Sequence, residues 1–379
     1  MCGAGNNPIT REGWCGRGTI TPEMSFDNVI GQEWPKEALK RALKTGRLAH
    51  AILLHGPEGI GKRALALELA KAVNCTGSEA DPCDTCRACR RISAGLFPDL
   101  KVLFPVPAGL SSEKETSLVQ QITGDSYREI EFGRNVGIPI ERVRDLQRYA
   151  AYHPYEGRRK VSIILEADQM RPEAANALLK TLEEPPHYLL LVLTARNPDA
   201  LLPTILSRCQ LLRLRSLTAA EIEEALIKRE GLEPKKARLI ARVSDGSLSK
   251  AQRLLGEDID EYRDKAYEFL KIALQGDDLA RVNFIEDITG PGQNRLVERL
   301  LNTLLLWMRD ILLWQEGHQN EVVNFDRPDQ IKEMAQAFNI RSIEETTKII
   351  QNCLEMMSRN VNAQLILFWL VGRLQSTEV

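Results

Sequence analysis

Between residues 26 and 215 the chain alternates two hydrophobic rhythms. Short apolar runs of strand length fall at Ala51–His55, 161–165, 189–194 and 209–214. The segments between them carry apolar residues at helical spacing. Strands alternating with helices predict an α/β domain, a parallel sheet with helices on both faces. The stretch 104–139 breaks this rhythm with PVPAGLSSEKETS, which predicts a long surface insertion between core elements. At Ser216 the strand pattern stops. Thr218-Ala-Ala-Glu221 is a capping-box sequence opening a helix that Gly231 should end. Shorter helical patterns follow at 235–243 and 249–255. Beyond 260 only helical periodicity is left, over 261–274, 294–314, 343–358 and 363–374, with Trp307, Trp314 and Trp369 expected inside a helical bundle. The predicted organisation is an α/β domain over 24–215, a small helical domain over 216–259 and an all-helical domain over 260–379 whose apolar faces suit oligomerisation.

Composition narrows this picture. At 379 residues the chain is too long for one ordinary domain. Its formal net charge of −2 excludes a basic face over the whole molecule, so any contact with DNA is local or shared with partners. The apolar stretch 300–314 is interrupted by Asn302, Arg309 and Asp310 and reads as a buried amphipathic helix, not a membrane span. Residues 1–23 hold glycines and two cysteines but no apolar run. They read as a disordered extension, or as the product of a start site upstream of Met24, and not as a secretory signal. The compartment expected is the cytoplasm, which is reducing. The eight cysteines are therefore read as thiols or metal ligands before disulfides.

The run Ala51–His55 leads into Gly56-Pro-Glu-Gly59-Ile-Gly61-Lys62-Arg63 and then a helical pattern. Strand, glycine loop, lysine and helix make the phosphate-binding P-loop arrangement: backbone N–H groups approach the phosphates and the lysine neutralises them. The motif is defective. Its last position should be Ser or Thr, whose hydroxyl binds Mg²⁺, and here it is Arg63. The second ATPase motif reads Val161-Ser-Ile-Ile-Leu165-Glu166, with Leu165 where the Mg²⁺-binding Asp is expected. Mg²⁺ has lost both handles, so no Mg²⁺ site is expected, and phosphoryl transfer depends heavily on that metal. Gly56, Gly59, Gly61 and Lys62 could still hold ATP or ADP, and the residues leave that open.

Cys75, Cys83, Cys86 and Cys89 form C-x7-C-x2-C-x2-C. Four thiols so spaced suit tetrahedral zinc; short C-x2-C-x2-C runs also serve iron–sulfur clusters, though nothing else in the chain points to redox work. Cys209 and Cys353 read as packed thiols.

Three further segments carry a family resemblance. They are Asn176-Ala-Leu-Leu-Lys-Thr-Leu-Glu-Glu-Pro-Pro186, the Ser-Arg-Cys box at Ser207-Arg208-Cys209, and the entry segment Phe26-Asp-Asn-Val-Ile-Gly-Gln32. On these residues the chain resembles the clamp-loader subunits of bacterial DNA polymerase III, in the AAA+ superfamily. The cysteine run also sits where that family places its zinc module. The resemblance implies an AAA+ domain with a zinc module, a helical lid and a helical collar. Gamma and tau subunits of the family hydrolyse ATP; the delta-prime type does not. In the ATPase members a Gly-Ser-x-Arg pattern supplies an arginine to the γ-phosphate from the lid, and here Gly246-Ser247-Leu248-Ser249 has Ser in its place. Three departures in three motifs imply the non-hydrolysing type. By the resemblance, its partners are delta and gamma/tau subunits, the beta sliding clamp and, through the complex, primed DNA. Arg208 is then an arginine finger acting in trans on a neighbour's ATP site, or else a surface arginine paired with a nearby carboxylate. The competing readings are an active gamma/tau-type ATPase, and a zinc-finger DNA-binding regulator using Arg87, Arg90 and Arg91. The cluster Arg142, Arg144, Arg148, Arg158, Arg159 and Lys160 reads as a solvated or partner-facing surface.

Overall fold

The computed structural model describes residues 25–376 apart from 108, 109, 131, 133–135, 257, 276, 277, 291 and 292. The reading of residues 1–23 lies outside the described residues. Five parallel strands form one sheet: β1 (Ala51–His55), β2 (Leu100–Leu103), β3 (Lys160–Ile164), β4 (Leu189–Ala195) and β5 (Gln210–Arg213), in the order β2-β3-β4-β1-β5. Alternate residues divide between two cores. Ile52, Leu54, Val161, Ile163, Leu190 and Val192 face the layer that holds the P-loop helix Lys62–Asn74. Ala51, Leu53, Ile164, Leu189, Leu191 and Leu193 face the helices Ile140–Ala150 and Pro172–Glu183. Burial on both sides explains why the central strand β4 is apolar almost throughout.

Four strands coincide with the apolar runs. The edge strand β2 was not among them. Four residues, half of them only partly buried and one a lysine, leave too short a pattern to register. The stretch 104–139 is corrected more deeply. It contains a helix, Ser112–Gly124, and it buries Phe104, Val106, Ile122 and Tyr127 against the main core. It is therefore not a surface insertion. Lys160 likewise departs from the solvated basic cluster. It is buried in β3, donates to the Tyr149 carbonyl at 2.9 Å and lies 3.9 Å from the centroid of that ring.

The helix Ala219–Glu230 opens on the full capping box of Thr218 and Glu221 and ends at Gly231, where φ is 65°. Glu221 does more than cap. It accepts from both guanidinium nitrogens of Arg215 at 2.6 and 2.9 Å, across the junction with the α/β domain. That pairing, assisted by the Thr218 backbone, lowers its pKa to about 2 from an ordinary 4.5. A depressed carboxylate contributes stability that is complete above 4.5 and lost as pH falls toward 2. Glu221→Gln should destabilise the protein by about 1 kcal/mol at pH 7, since the pair is half solvated. The difference in urea stability between the two proteins should shrink as pH falls from 4.5 and vanish near pH 2; a gap undiminished near pH 2 would contradict the assignment.

The C-terminal helices Ile259–Gln275, Asp278–Ile288, Asn294–Gln315, Pro328–Ala337, Ile340–Ser358 and Ala363–Ser376 share a second core around Trp307, which is fully buried. Trp314 and Trp369 pack at its margin. Asp310, read above as a polar interruption, is also fully buried. It accepts from the Val323 and Asn324 backbone N–H groups and from the Asn324 amide at 2.6–2.9 Å, and so caps the connection to the next helix. Among the described residues no helix is long and apolar enough to cross a membrane.

Candidate functional site

The P-loop leaves β1 at its carboxyl end and turns through three glycines of positive φ, Gly56, Gly59 and Gly61. At Gly59 a side chain is impossible: a Cβ would lie 2.0 Å from the Ser247 hydroxyl. The small helical domain is seated that close because Leu248 N–H donates to the Gly59 carbonyl at 2.9 Å. Lys62 points back onto its own loop, donating to the carbonyls of Gly56 (2.7 Å) and Pro57. Burial, with Arg196 nearby, lowers its pKa to about 8.

Arg63 reaches away from the loop into the 104–139 segment. Its guanidinium donates to the carbonyls of Ser126 (2.9 Å), Asp125 (3.2 Å) and Arg128. Between those residues Tyr127 is turned inward. It is fully buried, its hydroxyl accepts from Ile30 N–H at 2.9 Å, and it would lie 2.8 Å from a Cβ at Gly61. Opposite, Arg196 pairs with Glu58 at 2.8 Å and lies 3.6 Å from Glu166. Leu165 is buried and Ser249 lines the same cleft. The space enclosed is about 90 Å³, against roughly 300–1,000 Å³ for ordinary ligand pockets. A divalent cation entering here would meet Lys62, Arg63 and Arg196, with the Glu58 and Glu166 carboxylates already facing Arg196. Neither Tyr127 nor Arg196 was singled out from sequence. Both lie outside the motif, and only the packing of distant segments brings them to it.

The four cysteines come together. Their sulfur atoms all lie within 4.8 Å of one another. Cys75 ends the P-loop helix, Cys83 and Cys86 lie in the following turn, and Cys89 is in the helix Arg87–Ser93. Backbone N–H groups of Cys83, Cys86 and Cys89 point at Cys75, Cys83 and Cys86 sulfurs at 3.3–3.5 Å; hydrogen bonds to sulfur favour the thiolate at Cys83 and Cys86, while burial raises the Cys75 and Cys89 thiols. A tetrahedral ion with metal–sulfur bonds near 2.3 Å would set sulfurs about 3.8 Å apart, so the cluster fits a metal with small adjustment. Four protein donors leave no open position. The module is also an anchor. Asp81 accepts from Phe26 N–H and pairs with Lys40, while Asp84 pairs with Lys71 of the P-loop helix at 2.8 Å. Arg87 and Arg91 face Glu156, so two of the three arginines weighed for a DNA-reading helix are engaged within the chain.

Arg208 follows the short helix Pro203–Leu206 and is about one-third exposed. It pairs with Glu183, the last residue of the helix Pro172–Glu183, at 2.8 Å and donates to the Thr204 carbonyl at 2.9 Å. Parallel β1 and β5 are in register from Ile52↔Gln210 to His55↔Arg213. Arg208 therefore lies beyond the amino end of the sheet, and the P-loop beyond its carboxyl end. Cys209 and Cys353 are buried, and burial pushes both thiols up.

Against known proteins, the chain is 32% identical to the DNA polymerase III subunit delta-prime of Bacillus subtilis, over 89% of this chain and 94% of that one. The chain belongs to the DNA polymerase III delta-prime subunits. The family described as DNA polymerase III, delta subunit, matches residues 31–218, and that of its C-terminal region matches 291–375. The Pseudomonas aeruginosa delta-prime subunit is 38% identical over 60% of this chain and 62% of its own length. The tau subunit of Escherichia coli is 36% identical, but over 62% of this chain and only 33% of its own. The match to tau thus covers under two-thirds of this chain, and that to the Bacillus subtilis relative nearly the whole length of both.

Proposed function

We propose that the chain serves in a DNA polymerase III clamp loader as a subunit that does not hydrolyse ATP, beside gamma/tau and delta subunits, and so helps to place the beta clamp on primed DNA. The observation that carries the non-hydrolysing part is Arg63. It stands where a metal-binding hydroxyl is required, and its guanidinium is committed to the backbone of residues 125–128. Lys62, folded onto its own loop, and Tyr127, packed under Gly61, support a P-loop that holds no nucleotide. The Cys75, Cys83, Cys86 and Cys89 site takes zinc, whose role is structural. Zinc is redox-inert and accepts four thiolates in a closed tetrahedron.

Arg208 acts in trans. Its place at the opposite end of the sheet from Lys62 keeps it from its own site, so it completes a neighbour's. The ion pair with Glu183 is the resting position of a side chain that a neighbour's phosphates would draw outward.

The purified chain should show no ATP hydrolysis above a no-protein control, with or without Mg²⁺. It should co-purify with gamma/tau and delta subunits when they are expressed together. Mg²⁺-dependent turnover that Lys62→Ala removes would instead favour a gamma/tau-type ATPase.

A further inference from the structure

A second cavity lies away from the P-loop. It lies between the small helical domain and the C-terminal bundle and measures about 750 Å³, within the range of pockets that take small molecules. One wall is a face of the helix Asn294–Gln315. Arg295, Arg299, Asn302, Leu306 and Arg309 lie on it at spacings of three or four residues. The other wall is the helix Leu248–Leu254, which presents Lys250, Arg253 and Leu254. Ile259 and Leu305 complete an apolar floor.

Charge in this cleft is one-sided. Six cationic side chains line it, against the carboxylates of Asp245 and Glu298. Two of the six are satisfied from outside the cleft: Arg253 by Glu129 at 3.0 Å, and buried Arg263 by Asp326. The Lys250 ammonium and the Arg309 guanidinium make no ion pair with a described residue. Burial, with Arg253 nearby, holds the pKa of Lys250 below its usual value despite the neighbouring Asp245 carboxylate. Arg299 is held in place by Tyr262: its guanidinium donates to the phenol oxygen at 2.9 Å and sits 5.4 Å from the ring centroid. An aromatic ring and aliphatic floor beside a row of cations match a ligand with an apolar ring at one end and phosphate at the other.

We propose that this cleft binds a small phosphate-bearing molecule of nucleotide size, at a site separate from the P-loop. The full-length chain is titrated with the fluorescent probe mant-ADP, in EDTA and at about 0.15 M salt, where loose surface attraction is screened. Saturable binding is expected. The double variant Arg295→Glu/Arg309→Glu should weaken it roughly tenfold or more, the scale of a lost charge-assisted hydrogen bond. Lys250→Ala, a milder change, should weaken it in the same direction. Thermal melting shows whether each variant is folded; both exposed arginines can be reversed without touching the core. Competition by tripolyphosphate as strong as that by ADP identifies a polyphosphate as the ligand. Competition by ADP alone shows that the ring is read too. Either result supports the site. Absence of saturable binding, or a folded double variant that binds as well as the parent, would overturn it. So would binding that Lys62→Ala removes and the double variant keeps, because that places the probe in the P-loop. Displacement by a single-stranded oligonucleotide far more tightly than by ADP or tripolyphosphate would also overturn it, since the cleft would then be part of a nucleic-acid track.

Discussion

Protein carrying Cys89→Ser should lose its zinc and, with it, the folded state of the amino-terminal half. Cys89 is fully buried, as is Cys75, and the four sulfurs are already gathered. A serine oxygen is a poor fourth ligand, and three thiolates left together without the metal repel one another in a partly desolvated pocket. Structural zinc sites of this kind carry apparent binding free energies of about 10 kcal/mol, which count as folding free energy when no site exists in the unfolded chain. Here the loss would spread. Asp81 and Asp84 lie between the ligands and hold Phe26, Lys40 and Lys71. Freed of the metal, the module would release the entry segment and the outer side of the P-loop helix together. The parent protein should contain one zinc per chain by elemental analysis. Cys89→Ser should contain little, melt at much lower temperature and show early proteolysis near residues 75–95. Chelation of the parent at elevated temperature should reproduce that pattern. A variant as stable as the parent, or a parent containing iron, would refute the structural zinc assignment.

The second large effect is expected in the assembled loader and not in the isolated chain. Arg208→Ala removes an ion pair that is one-third to one-half exposed, and such pairs contribute about 0–1 kcal/mol. Folding, zinc content and assembly should therefore be nearly unchanged. Loss of an arginine that stabilises a transferring phosphoryl group costs roughly 10³–10⁵ in rate at the site it serves. If, as proposed, only one site of the complex depends on this subunit, total hydrolysis and clamp loading should both fall by a smaller factor. Complexes made with parent and variant subunits are compared for ATP turnover and for clamp loading, each in the presence of clamp and primed DNA. Undiminished rates would assign Arg208 to the Glu183 pair alone. Glu183→Gln separates the roles: it breaks the pair but leaves the guanidinium, and turnover should be retained.

Much of this was readable from one chain of letters because the relevant signals are local. Short apolar runs and period-3.6 patterns located four strands and most of the helices. The capping box at Thr218 and the stop at Gly231 fall where the sequence placed them. The cysteine spacing predicted a cluster whose geometry is now explicit. Each of these depends on residues within a few positions of one another, where backbone geometry leaves few alternatives.

What failed was non-local. Glycine and proline in 104–139 read as surface, yet Tyr127 and Ile122 are buried there, because Arg63 supplies hydrogen bonds to a turn that would otherwise need water. The helix Asp278–Ile288 escaped notice because its apolar residues form no stripe on one side. Asp310 read as a polar break, but it became a core residue once Val323 and Asn324 brought three donors to it.

The sequence by itself therefore determined four strands and most of the helices, the four cysteines that gather and the residues Arg63 and Leu165 at the two motif positions. Those are properties of residue identity at fixed spacing. Only the tertiary structure decided where Arg63 reaches, which way Arg208 faces and where cations gather between the two helical regions. Each of these is set by side chains far apart in the chain, such as Arg63 with Ser126, Arg208 with Glu183 and Lys250 opposite Arg309. Their proximity is a product of packing, for which no short-range pattern in the sequence stands.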